Sequence, residues 1–176
     1  MKFFKQKIKN LYLIKPMPFK DKRGIFRRNF CSTLQKKNKL NTNVKQANIS
    51  ENFKKLTLRG FHYQKYPYGE DKTLCCIKGE IYNVTIDLRK SSKTYKHWKG
   101  FYLNDKNKYL VHIPKGCANA FLTLKDETIV HYYCSQKYVP KAERGIRYND
   151  KKFNIKWPKK PKIISKKDLQ HEDFLE

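Results

Sequence analysis

The residues best suited to chemistry lie in one short segment, residues 58–64, with the sequence LRGFHYQ. His62 follows Arg59 after two intervening residues, and a histidine with its ordinary pKa near neutrality can act as a general base. The segment has the composition of a β-strand, so alternation would put His62 on the face shared with residues 58, 60 and 64, and Arg59 on the opposite face. A proton-transfer residue beside a cation suggests an anionic substrate, although a single histidine on a strand is more often structural.

The charge of the chain also favours acidic ligands. Lys and Arg number 41 against 15 Asp and Glu, so the formal net charge is +26, and a field of that sign attracts phosphates, nucleic acid or anionic membrane. The cations are concentrated at residues 1–40, where Asp21 is the single acid. A lysine-rich composition without any selected surface explains the charge equally well, so the charge names no ligand class.

Cysteine usage and the N-terminus bear on the cellular compartment. The five cysteines form no C-x-x-C pair and no cysteine–histidine spacing suited to zinc, so we expect reduced thiols that pack in the interior. The apolar run at residues 11–14 is too short for a signal-peptide core, and no run approaches the length of a membrane span. These features predict a cytoplasmic protein with no membrane partner.

The elements that must position residues 58–64 are predicted to be short β-strands. Residues 73–77 and 81–88 flank a Lys78-Gly79 turn and form a predicted hairpin. Further β-prone runs at 109–113, 120–124 and 128–134 are bounded by Pro, Gly, Asn or Asp, which is spacing typical of a β-sandwich. Polar and apolar residues alternate along 81–88, which predicts one polar and one packed face and would allow a polar cavity.

The rest of the chain adds little regular structure. Residues 30–40 are polar and compatible with a helix, while residues 151–162, with two Pro and six Lys, are predicted to be an irregular surface segment. No repeat or linker divides the sequence, so we predict one domain over residues 1–176, long enough to bury roughly two-thirds of its unfolded surface.

Residues 58–64 begin a series of short motifs that continues to the C-terminus. The series comprises Lys72-Thr73-Leu74, Lys78-Gly79-Glu80, Asp87-Leu88-Arg89, Ile113-Pro114-Lys115-Gly116, Ala118-Asn119-Ala120-Phe121, Glu143-Arg144-Gly145-Ile146, Asn149-Asp150, Trp157-Pro158 and Ser165-Lys166-Lys167-Asp168. Over about residues 10–170 it resembles the dTDP-4-dehydrorhamnose 3,5-epimerase family of nucleotide-sugar epimerases. The resemblance implies an all-β fold, a cupin-type jelly-roll β-sandwich with short peripheral helices, and a homodimer that serves surface-polysaccharide synthesis.

The resemblance also implies how a 4-keto sugar would be epimerised. Inversion beside a ketone needs a base, a group that stabilises the enolate and an acid on the opposite face. His62 matches the family's base, and Asp168 the aspartate that holds it. Tyr132 matches the acid, and Lys72 matches a lysine that contacts substrate and could stabilise the oxyanion.

Further positions match the family's contacts to the sugar diphosphate. They are Arg23, Gln46, Asn48, Arg59, Glu143 and Lys167. Three positions depart from the family's pattern: Arg28 replaces a Glu, Ala47 an Asp, and Asn119-Ala120 a His-Gly pair. The base and acid are kept, so we interpret the changes as altered substrate recognition at a substrate-binding surface that includes Arg28 and Asn119. A different sugar or nucleotide, such as a 4-keto heptose on GDP, or inversion of carbon 3 only, is consistent with them.

Two rival functions and a metal question stay open at this point. A 4-keto nucleotide-sugar 3,4-ketoisomerase of similar fold would move the ketone instead, although a retained Tyr132 argues weakly against it. A nucleic-acid-binding β-domain would use the charge together with stacking aromatics, but no RNP-type motif is present. Cupin metal sites use an H-x-H pair, which His62 lacks, and His97, His112, His131 and His171 are scattered singly. We therefore expect catalysis without a metal and without a redox cofactor.

Overall fold

Two antiparallel β-sheets face each other in the computed structural model, which describes residues 1–175. The first sheet has the spatial order β1-β2-β10-β7-β12-β5 and the second β13-β6-β11-β8-β9, with β14 parallel to β6. Strands of the first sheet are β1 Lys2–Lys5, β2 Tyr12–Lys15, β5 Gln46–Asn52, β7 Lys72–Lys78, β10 Leu110–Ile113 and β12 Thr128–Cys134. Strands of the second are β6 Thr57–Gln64, β8 Glu80–Asp87, β9 Trp98–Asn104, β11 Cys117–Thr123, β13 Glu143–Gly145 and β14 Ile163–Ile164.

The remaining elements are small and peripheral. Strands β3 (Phe19–Asp21) and β4 (Gly24–Phe26) form a separate two-stranded hairpin. Helix α1 covers Ser32–Lys37, α2 covers Lys166–Leu169, and a single 3-10 turn covers Pro140–Ala142. The predicted all-β class with short peripheral helices is confirmed, including the helix expected within residues 30–40.

The main core lies between the two sheets, because each sheet contributes its apolar face. Leu74, Cys76 and Val111 from the first sheet pack with Leu103 and Phe121 from the second. The two strands predicted around Gly79 are confirmed as β7 and β8, but the predicted hairpin is wrong: β7 pairs within the first sheet and β8 within the second, so Gly79, whose φ is +83°, turns the chain from one sheet to the other. A Cβ at Gly79 would lie 2.4 Å from Oγ1 of Thr128, so both the dihedral and the close approach require glycine.

A second apolar layer covers the outer face of the second sheet. Residues 151–162 are irregular, as predicted, but they do not lie free on the surface: Phe153 and Trp157 pack onto Val84 and Ile86. Both faces of β8 are therefore buried. Its predicted polar face exists as a row of fully buried side chains, Asn83, Thr85 and Asp87, directed away from that layer.

The predicted alternation in residues 58–64 is wrong at one point. In the pairing of β6 with β11, His62 lies opposite Asn119 and Arg59 opposite Phe121, with a register shift between them. Since Asn119 and Phe121 are two apart on one strand, they share a face, and a β-bulge in β6 brings Arg59 onto the face of His62. The bulge places the cation and the histidine in the same cavity.

The expectation that the cysteines pack in the interior is confirmed for four of the five. All five cysteines are free, and four of them are buried. Burial raises the pKa of Cys76, Cys117 and Cys134 to about 12, so these thiols stay protonated at neutral pH. Across residues 1–175, no helix combines the length and apolarity needed to cross a bilayer.

Candidate active site

A cavity of about 650 Å³ opens between the two sheets, within the usual size range of ligand sites. A neighbouring lobe of about 320 Å³ shares four of its lining residues, His62, Lys72, Tyr132 and Glu143. His62 belongs to the second sheet, whereas Lys72 and Tyr132 belong to the first. The ionisable groups therefore occupy opposite walls with space for a ligand between them.

On the wall formed by the second sheet, His62 is held by Asp168. Nε2 of His62 lies 2.8 Å from Oδ1 of Asp168, and the other carboxylate oxygen accepts the backbone N–H of Gly60 at 3.1 Å. The N-cap of α2 fixes the aspartate, because Oγ of Ser165 accepts its backbone N–H. Burial raises the pKa of Asp168, but the hydrogen bond and charge of His62 and the Gly60 N–H outweigh it and leave the pKa below its ordinary value. An ionised Asp168 accepts a hydrogen bond from the Nε2–H of His62, so Nδ1 carries no proton when the imidazole is neutral.

On the facing wall, Lys72 lies between a carboxylate and an aromatic ring. Its Nζ is 3.0 Å from Oε1 of Glu70 and 5.5 Å from the centre of the Tyr132 ring. Burial lowers the pKa of Lys72, but the charge and hydrogen bond of Glu70, together with Cys134 and Tyr132, outweigh burial, so the net pKa lies above the ordinary value and the ammonium persists at neutral pH. Burial raises the pKa of Tyr132, against a smaller lowering by Lys72, so its hydroxyl keeps its proton.

Several predicted substrate contacts line the same cavity. Nε of Arg59 donates to Oδ1 of Asn52 at 2.8 Å, which orients the guanidinium. Glu143 accepts the hydroxyl of Tyr138 at 2.6 Å and pairs with Lys167. Burial raises the pKa of Glu143, but these two partners lower it more, so the carboxylate is ionised. The smaller lobe is also lined by Gln46 and Asn48.

Asn119 lies on the cavity floor beside His62 and is anchored from behind. Its Nδ2 donates to Oδ1 of Asn83 at 2.6 Å and to the carbonyl of Val84 at 3.0 Å. Both of these acceptors belong to β8, so the amide nitrogen is not available to a ligand. The amide oxygen is the polar atom of Asn119 that remains for a ligand.

Two predicted substrate contacts do not reach this cavity. The Arg23 side chain is 89% exposed on the β3–β4 hairpin and pairs with Asp21 at 2.6 Å, and Arg28 is exposed two residues beyond β4. Neither residue lines the cavity within this chain. The physical reason is that the hairpin is hydrogen-bonded to neither of the main sheets.

Sequence reasoning missed two residues of the site. Glu70, the partner of Lys72, could have been suspected from its spacing, because it lies two residues before Lys72 and just before β7. His171 carried none, since it follows α2 in a charged tail, yet its Nε2 is 3.7 Å from Oδ1 of Asp168. Within residues 1–175, His62, Asp168 and His171 form the one cluster of three side chains with spacing suited to a metal ion.

A base held by a buried carboxylate, facing a protonated lysine and a protonated tyrosine across a ligand-sized cavity, defines an enzyme of the acid–base class on a two-sheet β-sandwich. The family model described as dTDP-4-dehydrorhamnose 3,5-epimerase matches residues 5–176. The chain belongs to the dTDP-4-dehydrorhamnose 3,5-epimerase family, so it is an isomerase of the epimerase type, and its sandwich is the expected cupin-type jelly roll.

Individual relatives agree with this assignment over nearly the whole chain. It is 36% identical to the dTDP-4-dehydrorhamnose 3,5-epimerase of Shigella flexneri, covering 100% of this chain and 97% of the relative. The crystal structure of the Bacillus anthracis enzyme with TDP and PPi bound superposes with a TM-score of 0.95 at 33% identity, covering 98% of this chain and 99% of that one. The Legionella pneumophila enzyme in complex with dTDP-4-keto-L-rhamnose gives a TM-score of 0.92 at 30% identity, covering 98% and 92%.

Proposed function

We propose that this protein inverts carbon 3, carbon 5 or both of a nucleotide-linked 4-keto-6-deoxy sugar by enolisation. The observation that carries the proposal is the contact between Nε2 of His62 and Asp168, made on the wall opposite Lys72 and Tyr132. Because Asp168 fixes the proton on Nε2, Nδ1 of His62 is the atom that removes the proton next to the ketone. Asp168 then stabilises the imidazolium that forms.

The facing wall supplies the other two groups that the reaction needs. The ammonium of Lys72 stabilises the negative charge that develops on the ketone oxygen. The hydroxyl of Tyr132, protonated at neutral pH, delivers a proton to the face opposite His62. Removal of a proton from one face and its return to the other inverts the carbon, and neither step uses a metal or a redox cofactor.

The substrate is proposed to be a nucleoside diphosphate sugar. Arg59 and Lys167 line the cavity, and cations of this kind bind phosphate oxygens by charge-assisted hydrogen bonds. Two similar crystal structures, those of the Bacillus anthracis and Legionella pneumophila enzymes, contain TDP and dTDP-4-keto-L-rhamnose respectively. We propose a dTDP-4-keto-6-deoxyglucose-type sugar or, given Arg28, Ala47 and Asn119, a different nucleotide sugar such as a GDP-4-keto-heptose, in the synthesis of surface polysaccharide.

We also propose a cytoplasmic homodimer as the working form. Large apolar side chains stand exposed on the β3–β4 hairpin and on β5, with Phe19 64%, Phe26 73% and Ile49 66% exposed. A second copy that covered them would bring the otherwise remote Arg23 toward another protein surface. Light scattering should give the mass of two chains, and Phe26→Glu should shift it toward one chain.

A panel of dTDP-, GDP- and CDP-linked 4-keto sugars incubated in deuterium oxide tests the proposed reaction. An epimerase incorporates deuterium at carbon 3 or carbon 5 and leaves the ketone at carbon 4, whereas a 3,4-ketoisomerase moves the ketone. Deuterium at both carbons indicates a 3,5-epimerase, and at carbon 3 alone a 3-epimerase. The absence of exchange and of product on every sugar would contradict the proposal.

A further inference from the structure

The segment after α2 brings a second histidine to the carboxylate that holds His62. Nε2 of His171 lies 3.7 Å from Oδ1 of Asp168, and the same oxygen lies 2.8 Å from Nε2 of His62. One ligand atom from each of His62, Asp168 and His171 lies within 4.8 Å of the other two. Two imidazole nitrogens and one carboxylate oxygen thus converge behind the proposed base, away from its Nδ1.

Packing against two neighbouring groups holds the His171 ring in this position. Its ring meets the ring of His62 edge to face, with centroids 6.1 Å apart and an interplanar angle of 81°. A Cβ on Gly145 would lie 2.0 Å from Nε2 and 2.2 Å from both Cδ2 and Cε1, so the backbone of β13 lies against the ring. Nε2 of His171 is buried without a hydrogen-bond partner among residues 1–175, and such buried polar atoms are uncommon.

We propose that His62, Asp168 and His171 bind a borderline divalent cation of the Zn²⁺ class. Two histidines and a carboxylate are a donor set that zinc accepts, with a water in the fourth position. Zinc-to-ligand distances of roughly 2.0–2.2 Å place tetrahedral ligands roughly 3.3 Å apart. The observed separations of 2.8 and 3.7 Å from Oδ1 lie on either side of that value, and the cluster as a whole spans no more than 4.8 Å, so side-chain shifts of up to roughly 1.5 Å complete the site.

The cation would switch the enzyme off, and this consequence rests on the proposed function. A metal on Nε2 of His62 occupies the lone pair of that nitrogen, so the proton of neutral imidazole resides on Nδ1. The proton therefore moves from Nε2 to Nδ1 as the metal binds, with no redox change. Nδ1 then cannot accept a proton from the sugar, and inhibition should be reversed when the metal is removed.

Calorimetric titration with Zn²⁺ tests binding without any reference to activity. EDTA-treated wild-type protein should bind one Zn²⁺ ion per chain. His171→Gln should bind Zn²⁺ with an affinity at least about tenfold lower, since the loss of even an outer-shell partner commonly lowers metal affinity 10–100-fold. His97→Gln is the matched control, because His97 is exposed and lies outside the cluster. Equal Zn²⁺ affinity in wild type and His171→Gln, or no binding by wild type, would overturn the site.

Two further measurements keep the test decisive if His171→Gln folds poorly. Co²⁺ added to wild-type protein should give the visible absorption of a four- or five-coordinate site, and a purely octahedral spectrum would contradict the proposal. Added Zn²⁺ should lower the epimerase activity of wild-type protein, so that the activity with Zn²⁺ divided by the activity without it falls below one. For His171→Gln this ratio should stay near one. Zn²⁺ binding with no turnover of any 4-keto sugar would retain the site and reject the proposed function, whereas turnover without Zn²⁺ binding would do the reverse.

Discussion

Asp168→Asn changes a single atom in the buried pair and should nevertheless remove the base. The carboxylate accepts two N–H groups, from the Gly60 backbone at 3.1 Å and from His62 at 2.8 Å, but an amide offers one oxygen and one NH₂. The backbone N–H of Gly60 cannot give up its proton, so the amide oxygen stays with it and the NH₂ points at Nε2 of His62. Nε2 must then accept, the ring proton moves to Nδ1, and the imidazole can no longer take a proton from the substrate.

The expected loss is that of general-base catalysis, about 10²–10⁴-fold in kcat. This corresponds to about 3–5 kcal/mol of transition-state stabilisation. KM should change little, because Asp168 contacts the histidine rather than the sugar. Steady-state kinetics and deuterium uptake on the accepted sugar measure the effect, with Asp173→Asn, an exposed aspartate paired to Arg147, as the matched control. Near wild-type kcat in Asp168→Asn would refute the assigned tautomer and the role of the pair.

Three further predictions concern the facing wall, the cavity floor and the acid stability of the sheet. Tyr132→Phe should abolish inversion while deuterium exchange by His62 survives, and equal loss of both would argue against separate acid and base groups. Asn119→His should change the ratio of kcat/KM between two nucleotide sugars more than it changes kcat, whereas equal losses on both sugars would make Asn119 part of the catalytic apparatus. Burial raises the pKa of Asp87, but hydrogen bonds from Arg89 and from two nearby hydroxyl groups hold it at about 2, below the ordinary value of 3.8 for an aspartate. A depressed pKa contributes stability that is present above pH 3.8 and lost as the pH falls toward 2, so Asp87→Asn should cost about 2 kcal/mol in urea unfolding at pH 7 and little at pH 2; an equal cost at both pH values would contradict this.

The strands could be predicted from the sequence because their signals are local. Gly79 between two β-prone runs marks the turn from β7 to β8, and the alternation along β8 marks its buried polar row. That β7 and β8 enter different sheets instead of forming a hairpin could not be predicted, because it depends on pairing with strands distant along the chain. The face of Arg59 could not be predicted, because the bulge in β6 depends on pairing with β11, a strand about 60 residues away along the chain.

The same distinction applies to the site residues, because their pairing depends on contacts between distant parts of the chain. His62 and Asp168 are 106 residues apart, and only the family resemblance pairs them before the fold is known. The positions of His171 and Arg23 follow from how peripheral segments pack, and no motif encodes that packing. In the sequence His171 is one of several scattered histidines, although the fold brings it beside Asp168.

Deuterium exchange in His62→Asn tests the central claim most directly, because exchange reports proton removal whether or not product accumulates. Wild-type protein and the exposed-histidine control His97→Asn should incorporate solvent deuterium at the epimerised carbon of the accepted 4-keto sugar. In His62→Asn the exchange rate should fall by about 10²–10⁴-fold while the sugar still binds. Exchange at the wild-type rate in His62→Asn would show that another group removes the proton, and would contradict the account.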